Sequence, residues 1–436
     1  MNKLVNEKQL SKNAKLNKKD LTWFKLDNAA LIYPAVSTKK WNSVYRVSVV
    51  LKDMVNVEVL NKALHDVITR FPHFNVSLNK GFFWFYFEET TVLPMVEKDE
   101  QYPCQKMEFK RKKHLFRVLY HNKKISFEAF HSLSDGYGAI VFVNSLLKRY
   151  FELSGHTIEN SENTFNYLDK PSLEEVEDSF SRYADLKHKN SWSENKAYQI
   201  TGTIEEQGKL NIINGIFSAN DVKEFAKQYD ATVNEFFLAV MFHSVLQHQS
   251  LSGYNKQPVR ISMPINLRNI FPSKSLRNFS SYKNIEFSAS DKTMSLQEMV
   301  NKVKENTRCI DKNYVMGNIN ANVKAQKNIF LRLTPLFLKN LVMKLVFFMV
   351  GERIVTISFS NVGKVKAPKE FKNFVERYEV NLGPGKINKM GSSVITFEDN
   401  MVFTFNSTIK ETQMQKIFFQ TLTNLGLNVK IESNIE

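Results

Sequence analysis

The stretch AFHSLSDGYG, residues 129–138, decides how this chain is read. Leading into it, Ile125, Phe127 and Ala129 alternate with Ser126, Glu128 and Phe130, the period-two pattern of a strand. His131 continues the apolar series, so its ring is expected on the interior side of the sheet. The chain then turns. Asp135 stands where a helix N-cap belongs, ahead of the buried stripe Ile140, Val143, Leu146, Leu147 and Tyr150. Gly136 and Gly138 are expected to allow close backbone approach at the turn. A histidine and an aspartate are thereby held together at a strand-to-helix junction. The same positions also fit a satisfied core histidine and a simple helix cap.

Outward from this junction, strand and helix patterns alternate. Ser43–Leu51 and Phe82–Phe87 read as strands, and Val57–Arg70 as an amphipathic helix stopped by Phe71-Pro72. Leu115–Tyr120 and Ile125–His131 form a hairpin around His121–Lys124, and a helix runs from Gly136 to Glu152. Ser154 to Glu205 is polar and reads as a long crossover. The vocabulary then resumes. Strands are expected near Leu210–Ile213, Arg260–Pro264 and Val355–Ser360, with a hairpin of Val394–Phe397 and Val402–Phe405 and a last strand at Asn428–Ile431. Helices are expected over Asp221–Gln228, Thr232–Leu246 with a Thr232/Glu235 capping box, Ser295–Asn320 and Gln413–Leu422. The fold class is α/β, with mixed sheets in α+β layers built twice over and divided near Ile200.

Composition narrows the function. With 43% hydrophobic residues, 15 Gly and 11 Pro in 436 residues, the chain is globular and long enough for two domains. Two cysteines, Cys104 and Cys309, are too few for a disulfide framework and point to a reducing, cytoplasmic setting. The net charge of +16 suits anionic substrates, membrane surfaces or nucleic acid, and equally a composition bias with no partner behind it. Residues 1–20 are lysine-rich and unpatterned, a solvated basic tail without an apolar leader core. Phosphate-loop, GxSxG, HExxH and CxxC motifs are missing, as are nucleic-acid module signatures, so no metal or nucleic-acid partner is expected. Leu336–Val350 is apolar but too short to span a bilayer, and Lys339 and Lys344 interrupt it. It is expected to be a helix buried between subdomains. The alternative is that one face opens towards the inner face of a membrane, in peripheral contact, or towards a lipid-like acceptor.

HSLSDG resembles the HxxxDG signature of the chloramphenicol-acetyltransferase-like superfamily. That group includes condensation domains of nonribosomal peptide synthesis, plant acyltransferases, and bacterial alcohol acetyltransferases and polyketide-associated acyltransferases. Condensation domains usually carry HHxxxDG, and Phe130 stands here in place of the first histidine. Three further stretches resemble the bacterial alcohol-acetyltransferase-like group in the same order. They are WFKLDNAALIYPA (23–35), ISMPINLRNIFP (261–272) and TISFSNVGKVKAP (356–368). The resemblance implies two similar subdomains, residues 21–200 and 201–436, in a pseudo-dimeric arrangement with a tunnel between them.

It also implies a reaction: acyl transfer, acetyl in the simplest case, from a coenzyme A thioester to a hydroxyl acceptor, in a monomer without a permanent cofactor. An alcohol needs a base as it attacks, and an imidazole titrating near neutrality serves. His131 is that base. The resemblance makes Asp135 a structural residue paired with Arg268, with Gly136 beside it. Ser360 and Asn361 are candidate donors to the oxyanion, although Asn-x-Gly after a strand is also common turn chemistry. Lys364 and Lys366 are candidates for the coenzyme A phosphates, or simply a solvated basic face. The rival functions are an amide-forming condensation catalyst using a carrier-protein thioester, and a non-catalytic binding relative.

Overall fold

All eight residues of the strand Val44–Leu51 are buried, which marks it as the centre of a sheet. It pairs antiparallel with Lys124–Phe130 on one side and with Val375–Leu382 on the other. Phe116–His121 and Val96–Lys98 complete this five-stranded sheet. The computed structural model describes residues 23–38, 41–185, 194–206, 208–253 and 256–435, so the basic tail through Asp20 lies outside the described residues. The hairpin joining Phe116–His121 to Lys124–Phe130 turns on Asn122 at φ 51, a left-handed conformation that asparagine tolerates. On one sheet face, Tyr45, Val47, Val49 and Phe127 pack with the helices Val57–Ile68 and Gly136–Leu153 into a core rich in phenylalanine. The other face is polar. Arg46, opposite Glu128 in the register, binds both Glu128 and Asp99, and Ser48 meets Ser126 at 2.9 Å.

A seven-stranded sheet runs Ser280–Phe287, Val259–Asn266, Ile357–Lys364, Met390–Phe397, Asn400–Ser407, Asn211–Ser218 and Lys430–Ser433. Ile357–Lys364 is parallel to both neighbours while the other pairs are antiparallel, so this sheet is mixed. The helix Val233–Leu251 is buried from Phe236 to Leu246 apart from His243, with Gln413–Asn424 and Leu296–Arg308 packed against it. Its Thr232/Glu235 capping box is formed in both directions. A third, three-stranded sheet holds Trp23–Lys25, Phe85–Glu89 and Val76–Lys80.

Two expectations from the sequence are corrected. The helix expected over Ser295–Asn320 is two helices, Leu296–Arg308 and Lys312–Lys327. Asp311 ends the continuity by capping the second through Tyr314 N–H at 2.7 Å. The segment Leu336–Val350 is not a buried helix. Leu336–Val346 lies on the surface and continues as a π turn, Phe347–Glu352. Phe337, Leu341 and Leu345 are exposed, while Lys339 is the residue turned inward.

Candidate active site

The strand Lys124–Phe130 ends one residue before His131, whose backbone N–H donates to Ser43 O at 2.8 Å. The backbone therefore stays anchored to the neighbouring chain while the side chain leaves the sheet. Its imidazole stacks on Tyr33, with centroids 4.5 Å apart, and lies 5.1 Å from the Tyr45 ring. Asn278 Oδ1 sits 3.1 Å from His131 Nδ1, and the residue's own backbone carbonyl also engages the ring. Both partners are acceptors, because Asn278 Nδ2 is turned to Asp27 Oδ2 and Ser132 O. Nδ1 must therefore carry the proton, which leaves Nε2 with a lone pair. Burial lowers the pKa of His131 below 6.5, against the opposing pull of its carbonyl, Asp135 and Asn278. The ring is neutral at pH 7.

Asp135 caps the helix Gly136–Leu153 through Oδ1, which accepts from Gly138 N–H at 3.2 Å. Its other oxygen accepts from Arg268 Nη1 at 2.7 Å and from Phe279 N–H at 2.9 Å. Both side chains of this ion pair are buried, 6% and 7% exposed. Arg268 spends its remaining donors on the carbonyls of Ser275, Arg277 and Phe279 and on Asn266 Oδ1, and its guanidinium covers the Tyr137 ring. The carboxylate points away from His131's ring contacts and into this structural lock. The loop 275–279 thus grips the HSLSDG segment repeatedly, with Asn278 on His131 and Ser132, the Leu276 carbonyl on the Ser134 hydroxyl and the Phe279 N–H on Asp135.

The two glycines differ. A Cβ on Gly138 would lie 2.0 Å from Leu276 O and 2.3 Å from Ser134 Oγ, so close approach does require glycine there. A Cβ on Gly136 would meet nothing within 4 Å, which corrects the expectation of a tight contact at that residue. Gly136 instead leaves space in a cavity of about 560 Å³. His131, Tyr33, Ser360, Asn361, Lys364 and Lys366 line the same cavity. In Ile357–Lys364, Ile357 and Phe359 are buried in the core, which turns Ser358 and Ser360 to the cavity side. Asn361 Nδ2 donates to Asn234 Oδ1 at 3.1 Å and its Oδ1 accepts from Gly363 N–H, whose residue has φ 80. Asn361–Gly363 is therefore a bulge inside a strand that runs on to Lys364, not the turn that Asn-x-Gly suggested, and Ser360 is the less committed donor. Lys366 is exposed and paired with Glu162, while Lys386 lies over the Phe348 ring. Both line the cavity with Lys364 and Arg268, alongside the carboxylates Glu352 and Asp135.

Sequence reasoning missed Tyr33, Asn278 and Asp27. Asp27 is fully buried beside Arg277, and burial pushes its carboxyl up to about 6 despite that cation. Arg277 in turn lines a second cavity of about 1050 Å³, walled by Trp23, Phe82, Phe83, Trp84 and Phe85. Asp27 and Tyr33 lie in the 23–35 stretch already singled out, whereas nothing local to Asn278 marks it. Among the described residues no cluster of His, Cys, Asp and Glu could hold a metal ion.

No protein-family model and no curated protein sequence matches the chain. Solved structures do. Polyketide synthase associated protein 5 from Mycobacterium tuberculosis superposes with a TM-score of 0.61 at 10% identity, covering 92% of this chain and 98% of that one. TRI101 of F. sporotrichioides, solved with coenzyme A and T-2, gives 0.59 at 10% identity over 94% and 99% of the two chains. The starter condensation domain of rhizomide synthetase gives 0.53 at 12% identity over 93% and 96%. Over nearly its whole length, then, the chain has the fold of the chloramphenicol-acetyltransferase-like and condensation-domain superfamily.

Proposed function

We propose that this protein moves an acyl group, acetyl in the simplest case, from a coenzyme A thioester to a hydroxyl acceptor. The observation that carries the reading is the placement of His131: its Nδ1 meets Asn278 Oδ1, and its ring lines a cavity that Lys364, Lys366 and Lys386 also line; burial lowers its pKa, which favours the neutral ring at pH 7. Nε2 takes the acceptor's hydroxyl proton as its oxygen attacks the thioester carbonyl. In this scheme the Ser360 hydroxyl, and then the Asn361 amide, donate to the resulting oxyanion. Collapse breaks the carbon–sulfur bond, and the imidazolium returns its proton to the departing thiolate. No covalent enzyme intermediate is needed. Lys364, Lys366 and Lys386 offer charge to the coenzyme A phosphates. Asp135 and Arg268 hold the turn that presents His131. The scheme assigns residues 21–200 and 201–436 to two acyltransferase subdomains.

The test is thiol release from acyl-coenzyme A with a panel of alcohols, with the ester identified by mass spectrometry. Wild type should turn over, and His131→Ala should lose about 10²–10⁴ in rate. Turnover only with carrier-bound thioesters would replace the proposal with the condensation-type reaction. Binding without turnover of any thioester would replace it with a non-catalytic role.

A further inference from the structure

The helix Leu336–Val346 is built inside out. Phe337, Leu338, Leu341, Val342, Leu345 and Val346 follow a helical period and all face solvent, with Phe337 71% exposed. Lys339 is only 2% exposed. Its ammonium is tucked over the Trp84 ring and donates to Phe83 O at 2.9 Å. Lys344, the other charge of the helix, is less exposed than its neighbour Leu345. A helix folded only against water would show the opposite pattern. The apolar face extends past the helix: Phe330 is 80% exposed just before it, and Leu336 N–H donates to the carbonyl of the exposed Phe82.

The charge around this face selects its partner. Lys25, Lys327 and Arg332 are exposed and line the aromatic cavity together with Phe82 and Phe83. The carboxylates of that cavity wall, Glu88 and Asp178, already accept hydrogen bonds from Asn79 and Ser181. Two copies meeting through this face would bring like charges together on chains of +16 each. A surface of anionic headgroups over acyl chains complements both the basic rim and the apolar stripe. We propose that Leu336–Val346, with Phe330 and Phe82, is a docking surface that seats this protein on an anionic lipid bilayer without crossing it. The seat would set the mouth of the aromatic cavity against the lipid. This proposal does not depend on the acyl-transfer reading.

Flotation of the full-length protein on phosphatidylcholine vesicles, with and without phosphatidylglycerol, tests it. Wild type should float with the anionic vesicles at low salt and less as salt rises. The paired substitutions Leu341→Glu and Leu345→Glu change only exposed side chains. They should cut vesicle partitioning tenfold or more with an unchanged melting temperature and an unchanged acyl-coenzyme A thiol-release rate. Lys327→Glu with Arg332→Glu should weaken it by about fivefold per residue. Wild type failing to float on anionic vesicles at low salt would overturn the proposal. So would normal flotation of the Leu341→Glu/Leu345→Glu protein. A wild-type dimer in sedimentation that this variant dissociates, with no vesicle binding, would assign the face to a second copy instead.

Discussion

Replacing Asp135 or Arg268 by alanine should unfold the site in a coupled way, and the contacts set the size of the effect. Asp135→Ala leaves a guanidinium that is 6% exposed without its anion. Stranding one partner of a buried pair costs about 3–5 kcal/mol. The variant also loses the cap of Gly136–Leu153, worth about 1 kcal/mol, and leaves the Phe279 N–H without its acceptor. We therefore expect a loss near the upper end, about 5 kcal/mol. Arg268→Ala is milder, about 3 kcal/mol, because the Asp135 carboxylate keeps its two backbone N–H donors. The double variant removes both buried charges together, so it should fall short of the sum by about 2–3 kcal/mol. Urea unfolding followed by tryptophan fluorescence reads the cycle, with Asp135→Asn as a variant that retains the cap if the alanine form is too unstable. Activity should fall with stability in the singles, since Phe279 adjoins the residue that orients His131. A coupling energy below about 0.5 kcal/mol would refute the pairing as a structural lock.

Other consequences can be checked alongside. Asn278→Ala should reduce turnover by releasing Nδ1 and should shift the acidic limb of the pH–rate profile; an unmoved limb would mean that Asn278 does not set the ring's protonation. Because burial depresses the His131 pKa, that limb in wild type should lie below pH 6.5, and a limb above it would contradict a buried base. Gly136→Leu should obstruct the cavity and lower kcat/KM without loss of stability, whereas Gly138→Ala should destabilise by about 1–3 kcal/mol through its clash with Leu276 O; equal effects on stability would be inconsistent with the geometry. Burial pushes His73 down to about 3 and His114 down to about 4, while unfolded histidine takes its proton near 6.5. Stability should therefore fall as pH drops from about 6.5 to about 4, offset in part by Asp27, whose raised pKa has the folded state bind a proton first. A urea midpoint that rises on acidification would reverse that balance.

What the sequence made legible was local. The HSLSDG strand–turn–helix, the Thr232/Glu235 box and the hairpin at Asn122 are each set by residues within a few positions of one another. What it hid was long-range or inverted. Asn278 meets His131 across 147 residues, with no motif around it. Val375–Leu382 escaped notice because Arg377 and Glu379 look like surface charges, yet both are buried and bonded to each other. Ser280–Phe287 is half-polar along its length and owes its strand to pairing with Val259–Asn266. For Leu336–Val350 apolarity suggests burial, yet the helix Leu336–Val346 exposes Phe337, Leu341 and Leu345, because apolar residues are not confined to the interior.

The strand Val375–Leu382 has a consequence for how the chain is made. Val44–Leu51 emerges early from the ribosome, with one apolar face, but one of its two edges stays open until a segment more than three hundred residues later arrives. At about 5–20 residues per second that wait is on the order of tens of seconds. Throughout it, an unpaired hydrophobic edge is available to other nascent chains. A chain truncated at residue 200 should accordingly aggregate, and co-expression of residues 201–436 should restore it to solution. If the truncated chain is soluble and monomeric alone, the late strand is dispensable for biogenesis. Otherwise the production of active protein depends as much on shielding during synthesis as on the stability of the finished fold.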